Sequence, residues 1–288
     1  MDRILFGDNQ FFAVNHMSDE KARAQAIRFK DLSAIMDVLD YVYDIGIRTF
    51  MCTTHSRIGE ICEIIRNNPE RYKGFKIYPC MPYAHKYNNA VAELGVMGAL
   101  KKMLPGSVIG SLARGGLALA RKDFVGIMKL LVDAEMKMFH GIETRVIFLQ
   151  NVVTDLILGM GMTDFFKAFA EYIHEKYDAE PGFITMNLPA LIDVLEECGL
   201  HQPIICSSIN KIGFRMPGGI KKYEEAISSG RARIIAMQAL AAGAISPKEA
   251  IEYVCQLDGI ESILFGASTK SHILETKKLI EDFSKVNK

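Results

Sequence analysis

The feature that most restricts the fold of this chain is a regular alternation. Short apolar runs rich in β-branched and aromatic residues are each followed by a segment with the periodicity of an amphipathic helix. Parallel strands joined by helical crossovers produce this pattern, and eight near-equal units predict one (β/α)8 TIM barrel domain over residues 1–288. The eight runs lie at 3–12, 47–55, 75–83, 145–151, 182–189, 203–210, 233–243 and 261–268.

A doubly wound open sheet is the rival architecture, because it also alternates strands and helices. It fits less well, since eight near-equal units leave no second domain and no G-x-G-x-x-G follows the first strand. Two segments exceed the regular unit, a loop at 13–30 and a helical insertion at about 84–144 after strand three. Loops that follow strands lie on the active face of a barrel, so both are candidate lids.

Charge and composition exclude several classes of protein. The 288 residues include 34 basic and 34 acidic side chains, a balance that does not favour nucleic acid or an anionic membrane. No stretch has the pattern of a signal peptide or the length of a membrane span, and the six cysteines form no C-x-x-C motif. We therefore expect a cytoplasmic protein with reduced thiols that acts on a small molecule.

Hydrogen-bonding side chains occur at the end of every predicted strand. In this fold the active site is built at the carboxyl ends of the strands. Gln150 and Gln238 are informative because they lie inside apolar runs, where an ordinary surface loop would not place them. We predict that one cavity is lined by residues from six strand ends, namely Asp8, His55, Gln150, Asn187, Gln238 and Ser268.

The segment "SILFGASTKSHILE" near the end of the chain combines a strand, a small-residue turn and a helix start. Loops seven and eight of TIM barrels often hold phosphate, and the free N–H groups of a helix N-terminus favour an anion. We predict that the phosphate of a nucleotide or of the substrate binds at Ser268, Thr269, Lys270 and Ser271. The alternative is that Ser268 or Ser271 only caps the helix.

The segments "ILFGASTKSHILE", "RIIAMQALAAGAI", "FITMNLPALIDVLEECG" and "GIRTFMCTTHS" together resemble the aldo/keto reductase superfamily. The resemblance spans most of the chain outside 84–144. It implies an oxidoreductase that uses NADP on a small carbonyl or alcohol, with Asn187 at the nicotinamide amide. The other cofactor-binding positions that it implies are Gln238, Ser268, Thr269, Lys270 and Ser271.

The family's catalytic Asp, Tyr, Lys and His are not retained in this chain. Their positions fall on Cys52, near residues 55–57, near Met81 or Pro82, and on Gln150 or Asn151. A different proton donor is therefore needed, either His55 or Tyr83, with Lys86 lowering the pKa of Tyr83. Asp8 and Gln150 complete the candidate catalytic set.

Two further functions remain open. One is a lyase, aldolase or isomerase, using a divalent metal held by Asp8, His55 and His85 or a Schiff base on Lys211. The other is a barrel that binds a ligand or partner without catalysis. The missing tetrad favours this second possibility, while the polar strand ends argue against it.

Overall fold

The computed structural model describes residues 1–12, 19–83 and 124–286. Its eight strands are parallel, pair in sequence order and close into a barrel where β8 returns to β1. This confirms the predicted TIM barrel and excludes the open sheet. The strands are β1 Ile4–Gly7, β2 Thr49–Thr53, β3 Lys76–Met81, β4 Val146–Leu149, β5 Glu180–Thr185, β6 Ile204–Ser208, β7 Arg233–Met237 and β8 Ile260–Phe265.

The helices of the described residues surround this barrel. They are α1 Asp19–Arg28, α2 Leu32–Asp44, α3 Ser56–Asn67, α4 Phe124–Met136, α5 Asn151–Gly159, α6 Asp164–Tyr177, α7 Leu188–Glu197, α8 Ile220–Ser228, α9 Pro247–Gln256 and α10 Lys270–Val286. Short 3-10 helices occur at Asn9–Phe12, Lys137–Phe139 and Ala241–Gly243. Within the described ranges, no helix combines the length and the apolar character needed to cross a membrane.

Alternation along the strands divides the core into two layers. Side chains such as Leu5, Met51 and Phe148 pack together inside the barrel, whereas Phe6 and Phe50 belong to the larger cluster shared with the helices. Successive side chains of a strand point to opposite faces, so each strand contributes to both layers. Both faces are buried, which explains why the strand runs are apolar almost throughout.

The barrel interior is closely filled around Phe148, which lies beside Gly182 on the neighbouring strand. A Cβ at Gly182 would lie 2.4 Å from the Phe148 ring. We expect Gly182→Ala to lower the free energy of unfolding by about 1–3 kcal/mol, the usual cost of overpacking a core. Denaturant unfolding followed by circular dichroism measures this loss.

Gly159, at the end of α5, provides the matched control. A Cβ there meets no atom within 4 Å. Gly159→Ala should leave stability unchanged or raise it by about 0.4–1 kcal/mol, because alanine restricts the unfolded chain. Equal stability of the two alanine variants would show that the Phe148 ring can shift to accommodate a Cβ at position 182.

Two strands end earlier than the sequence predicts. β1 stops at Gly7 because the chain turns into the 3-10 helix, in which the Phe11 N–H donates to the Asp8 carbonyl at 2.8 Å. β7 stops at Met237 because Gln238 adopts a left-handed conformation with φ of 55°. The predicted strands 3–12 and 233–243 were therefore too long, and the excess residues form the rim of the barrel.

The two expected insertions are partly described. The loop predicted at 13–30 contains helix α1, while 13–18 lie outside the described residues. In the insertion at 84–144, α4 packs beside β3 and α6, the ordinary place of a crossover helix. Residues 84–123 lie outside the described part of the chain, so the proposed lid remains a prediction.

Candidate functional site

A cavity of about 520 Å³ opens among the carboxyl ends of the strands. Its wall combines the apolar side chains of Met51, Ile184, Met237 and Leu264 with a set of side-chain amides. The amides belong to Asn9, Gln10, Gln25, Gln150, Asn151 and Gln238. An apolar wall with a few polar groups is typical of a small-molecule site, and its volume is within the range of such sites.

Charge is sparse in this cavity. Among the described residues of its wall, only the Asp8 carboxylate and the Arg215 guanidinium carry a formal charge. Asp8 is buried, whereas Arg215 is exposed. The cavity is therefore mostly neutral, with a negative group in its interior and a positive group at its solvent-exposed rim.

Asp8 follows β1 and contacts the end of β2. Its Oδ2 accepts hydrogen bonds from the backbone N–H and the Oγ1 hydroxyl of Thr53, at 2.8 and 2.7 Å. Burial raises the pKa of the Asp8 carboxyl, although these hydrogen bonds oppose the shift. Thr53 thus holds Asp8 in the cavity wall, in surroundings that penalise its charge.

Tyr83 follows β3 and lines the same cavity. Burial, and then the negative charge of Asp8, raise the pKa of its phenol. The sequence hypothesis expected Lys86 to lower this pKa, but the described surroundings act in the opposite direction. Lys86 and His85 lie outside the described residues. Tyr83 is therefore held as a neutral phenol, the form that can donate a proton.

Glu135 is a functional candidate that the sequence hypothesis missed. This fully buried carboxylate on α4 accepts the Thr54 hydroxyl at 2.5 Å and the Tyr83 N–H at 3.2 Å. It therefore ties the ends of β2 and β3 together beside the cavity. No clear sequence signal distinguished it, because the same helix segment "FVGIMKLLVDAEM" also carries Lys129 and Asp133.

His55 caps α3 and does not form part of the cavity wall. Its Nδ1 accepts the Arg57 N–H at 3.2 Å, so the ring proton lies on Nε2. The ring stacks on Phe12 at 4.1 Å and meets the Tyr83 ring edge-on at 6.1 Å. Burial and the charge of Arg57 lower the His55 pKa, so this side chain is a neutral support for two residues of the wall.

The six residues expected in one cavity fall into two groups. Asp8, Gln150 and Gln238 line the cavity together, with Gln150 directly preceding α5. His55, Asn187 and Ser268 do not line it. Asn187 directly precedes α7, and its N–H donates to the Thr185 hydroxyl at 2.8 Å.

The loop after β7 has an unusual backbone. Gln238, Ala241 and Ala242 all adopt positive φ, at 55°, 45° and 57°. The Oε1 of Gln238 accepts the Ser208 hydroxyl at 2.7 Å, which holds this side chain against β6. Residues other than glycine adopt this region at a cost, and such strain is common at binding sites. Nothing in the sequence predicted it, because glycine does not occupy these positions.

Gly266 has a packing role. A Cβ there would lie 2.2 Å from Gln10 Oε1, so the glycine makes room for the Gln10 side chain. The Nε2 of Gln10 donates to the Gly7 carbonyl at 2.7 Å. The space beside this glycine is therefore taken by a side chain of the cavity wall and not by a ligand.

The hydroxyl cluster of loop eight has partners within the chain. Thr269, not Ser268 or Ser271, accepts the His272 N–H at 3.3 Å and caps α10. Ser268 accepts from Gln25 Nε2 at 3.4 Å, and the exposed Lys270 pairs with Asp37 at 2.8 Å. An anion at this site would therefore compete with an ion pair, which is weak because both partners are exposed.

Lys211 does not occupy the position that a Schiff-base lysine requires. It is exposed, lies outside the cavity wall and pairs with Glu249 at 2.7 Å. Ser246 caps α9 by accepting the Glu249 N–H. No cluster of three metal-ligating side chains occurs among the described residues.

Gln25 on α1 lines the cavity and carries an unpaired polar atom. Its Oε1 is buried and has no hydrogen-bond partner in the described structure, while its Nε2 contacts Ser268. Reversing the amide would exchange the two atoms and still leave one unpaired. Leaving such a group unpaired costs about 1–3 kcal/mol, so a ligand that bonds to it gains affinity.

Comparison with known proteins shows what the fold resembles. No profile of a known protein family and no curated protein matches the chain. Solved structures of aldo-keto reductases match it over almost its full length. A proposed aldo-keto reductase from Pseudomonas aeruginosa aligns with 98% of this chain and 90% of its own, at 11% identity and a TM-score of 0.58.

Two further structures agree. An aldo-keto reductase from Bacillus halodurans aligns with 97% of this chain and 86% of its own, at 9% identity and a TM-score of 0.56. Aldose reductase from Giardia lamblia aligns with 97% of this chain and 87% of its own, at 12% identity and a TM-score of 0.55. The chain therefore has the fold of an aldo-keto reductase, and at this identity the likeness concerns the fold alone.

Proposed function

We propose that this protein is an oxidoreductase that interconverts a small carbonyl compound and its alcohol with NADP. The observation that carries the proposal is the position of Tyr83, a neutral phenol that lines a strand-end cavity together with Asp8. A proton donor in a partly apolar pocket is what carbonyl reduction requires of the protein. The full-length likeness to aldo-keto reductase structures supports this assignment.

The residues present fit a nicotinamide nucleotide. The amide side chain of Gln25, on the cavity wall, can bond to a carboxamide, and the apolar side chains of Met186 and Met237 can face a planar ring. Lys270 and the hydroxyls of Ser268 and Ser271 can bind its phosphate. When bound, the nucleotide supplies the hydride of the reaction.

The chain's own residues supply the proton and the geometry. In the reducing direction, Tyr83 would donate its phenolic proton to the carbonyl oxygen, which becomes the hydroxyl oxygen of the alcohol. Burial, and after it the negative charge of Asp8, raise the pKa of the Tyr83 phenol, so this side chain is neutral before it gives up its proton. Gln150, on the same wall, orients the substrate carbonyl. Glu135 fixes the backbone of Tyr83 by accepting a hydrogen bond from the Tyr83 N–H.

The decisive experiment is a titration of the protein with NADPH and NADP⁺, followed by nucleotide fluorescence and melting temperature. It is repeated with added divalent metal in place of nucleotide. We expect stabilisation by nucleotide. Stabilisation by metal alone would instead support the lyase or isomerase hypothesis, and no response to either would favour a non-catalytic barrel.

A mutation of Lys270 tests the phosphate site. We expect Lys270→Ala to weaken NADPH binding by about 1–3 kcal/mol, the range for one charged hydrogen bond, and to affect NADH little. Asp37→Asn should have the opposite effect on NADPH, because it releases Lys270 from its ion pair. Fluorescence titration measures both. Equal effects of Lys270→Ala on the two nucleotides would contradict a phosphate site here.

A further inference from the structure

The loop between β6 and α8 places a cation at the rim of the cavity. Arg215 belongs to the cavity wall and is exposed. Its guanidinium lies 5.4 Å from the centre of the Phe214 ring. Among the residues that the structure describes, no carboxylate pairs with it, whereas Arg231 and Arg233 each pair with two.

The backbone of this loop is ordered around Arg215. Asn210 is fully buried, and its side chain donates to the Phe214 carbonyl and accepts the Phe214 N–H, both at 2.8 Å. The Met216 N–H donates to the Gly213 carbonyl at 3.2 Å. These contacts hold both neighbours of Arg215 and leave its side chain at the rim.

Arg215 itself adopts a costly conformation. Its φ is 55°, in the left-handed region that disfavours residues with a Cβ. Backbone strain of this kind persists where the surrounding structure enforces it, often at ligand-binding positions. The Asn210 contacts are the local structure that enforces it.

We propose that the substrate carries an anionic group, a carboxylate or a phosphate, which Arg215 binds while the reacting carbonyl lies at Tyr83. This inference rests on the proposed reductase function and specifies its substrate class. Two charges of opposite sign in an otherwise neutral wall select a molecule with a neutral reacting end and an anionic far end. The planar guanidinium matches such an anion with two parallel hydrogen bonds.

The experiment compares matched pairs of substrates that differ in the anion. Succinic semialdehyde is compared with butanal, and glyceraldehyde phosphate with glyceraldehyde. The rates with NADPH and the calorimetric binding of each aldehyde without nucleotide are measured for the wild type, Arg215→Gln and Arg215→Lys. Lys221→Gln is the control, because it removes a positive charge from the same unit at an exposed site outside the cavity wall.

We expect the wild type to prefer the charged member of at least one pair. Arg215→Gln should lower kcat/KM for that member about tenfold, mainly through KM, and leave the neutral member unchanged. The kcat/KM of Arg215→Lys for the charged member should lie between the values of the wild type and Arg215→Gln. The kcat/KM of Lys221→Gln should equal that of the wild type. If Arg215→Gln weakens NADPH binding without changing the charged-to-neutral ratio, Arg215 binds the nucleotide and the proposal is overturned.

The binding arm separates this inference from the proposed function. If no aldehyde is reduced but a charged aldehyde binds in an Arg215-dependent manner, the anion site stands and the reductase function fails. If aldehydes are reduced with no preference for the charged member of either pair, the reductase function stands and the anion site is refuted. Absence of any charge preference in both rate and binding also refutes it.

Discussion

Tyr83→Phe should lower carbonyl reduction by about 10²–10⁴-fold, the usual contribution of a positioned proton donor. The phenylalanine fills the same space beside His55 and removes only the hydroxyl, so NADPH affinity and folding should change little. Steady-state kinetics with an aldehyde, together with nucleotide fluorescence, give both quantities. Because the loss concerns the transition state, it should appear in kcat and not in KM.

Tyr43→Phe is the matched control for this variant. It removes the same hydroxyl from a tyrosine on α2, where the OH donates to the Lys73 carbonyl at 2.9 Å and not into the cavity. Its kcat should equal that of the wild type. A fully active Tyr83→Phe enzyme would show that another group supplies the proton, and our assignment of Tyr83 would then be wrong.

Asp8→Asn should make the protein more stable at neutral pH while it changes catalysis. The folded-state pKa of Asp8 is raised above its ordinary value of 3.8, so the folded protein holds this proton more tightly than the unfolded chain. The stability that this group contributes is therefore present at low pH and is lost as pH rises through the folded pKa. At neutral pH the buried charge is a cost, which asparagine removes.

Denaturant unfolding at pH 7 and at about pH 4 measures the change in the free energy of unfolding. The lower pH is chosen because an aspartate carboxyl in the unfolded chain titrates near it. The gain from Asp8→Asn should be present at pH 7 and shrink at the lower pH. A variant less stable than the wild type at pH 7 would mean that the Thr53 hydrogen bonds outweigh the burial cost. Asp8 would then be a structural residue.

The same substitution should alter the pH dependence of reduction. The negative charge of Asp8 raises the pKa of Tyr83, so its removal should lower that pKa. Loss of activity on the alkaline side, where Tyr83 loses its proton, should therefore begin at lower pH in Asp8→Asn. If the alkaline limb of the pH–activity profile is the same in Asp8→Asn and the wild type, Asp8 does not influence the ionisation of Tyr83.

Asp155→Asn is the control for this pH profile. Asp155 is also a carboxyl whose burial raises its pKa, and it accepts the Thr185 hydroxyl at 2.5 Å and the Met186 N–H at 3.0 Å. It does not contribute to the pKa of Tyr83. The alkaline limb of Asp155→Asn should therefore coincide with that of the wild type.

The sequence by itself determined the architecture of this protein and the end of the barrel that carries the site. Hydrophobic periodicity is a property of consecutive residues, so eight strand-and-helix units could be counted before any coordinates were known. The fold then places the carboxyl ends of all strands at one rim, and this rule located Asp8, Tyr83, Gln150 and Gln238. Their position depends on register along a strand, which the sequence contains.

Only the tertiary structure decided which side chains form the cavity wall and how each is tuned. Past the last strand residue, the direction of a side chain depends on local backbone dihedrals and on distant partners. His55 turns to cap α3, whereas the left-handed backbone of Arg215 leaves its guanidinium at the rim. Glu135 reaches Tyr83 from 52 residues away, a contact that no local pattern contains. The raised pKa values of Asp8 and Tyr83 have the same origin, because burial and neighbouring charge exist only after the chain has closed into the barrel.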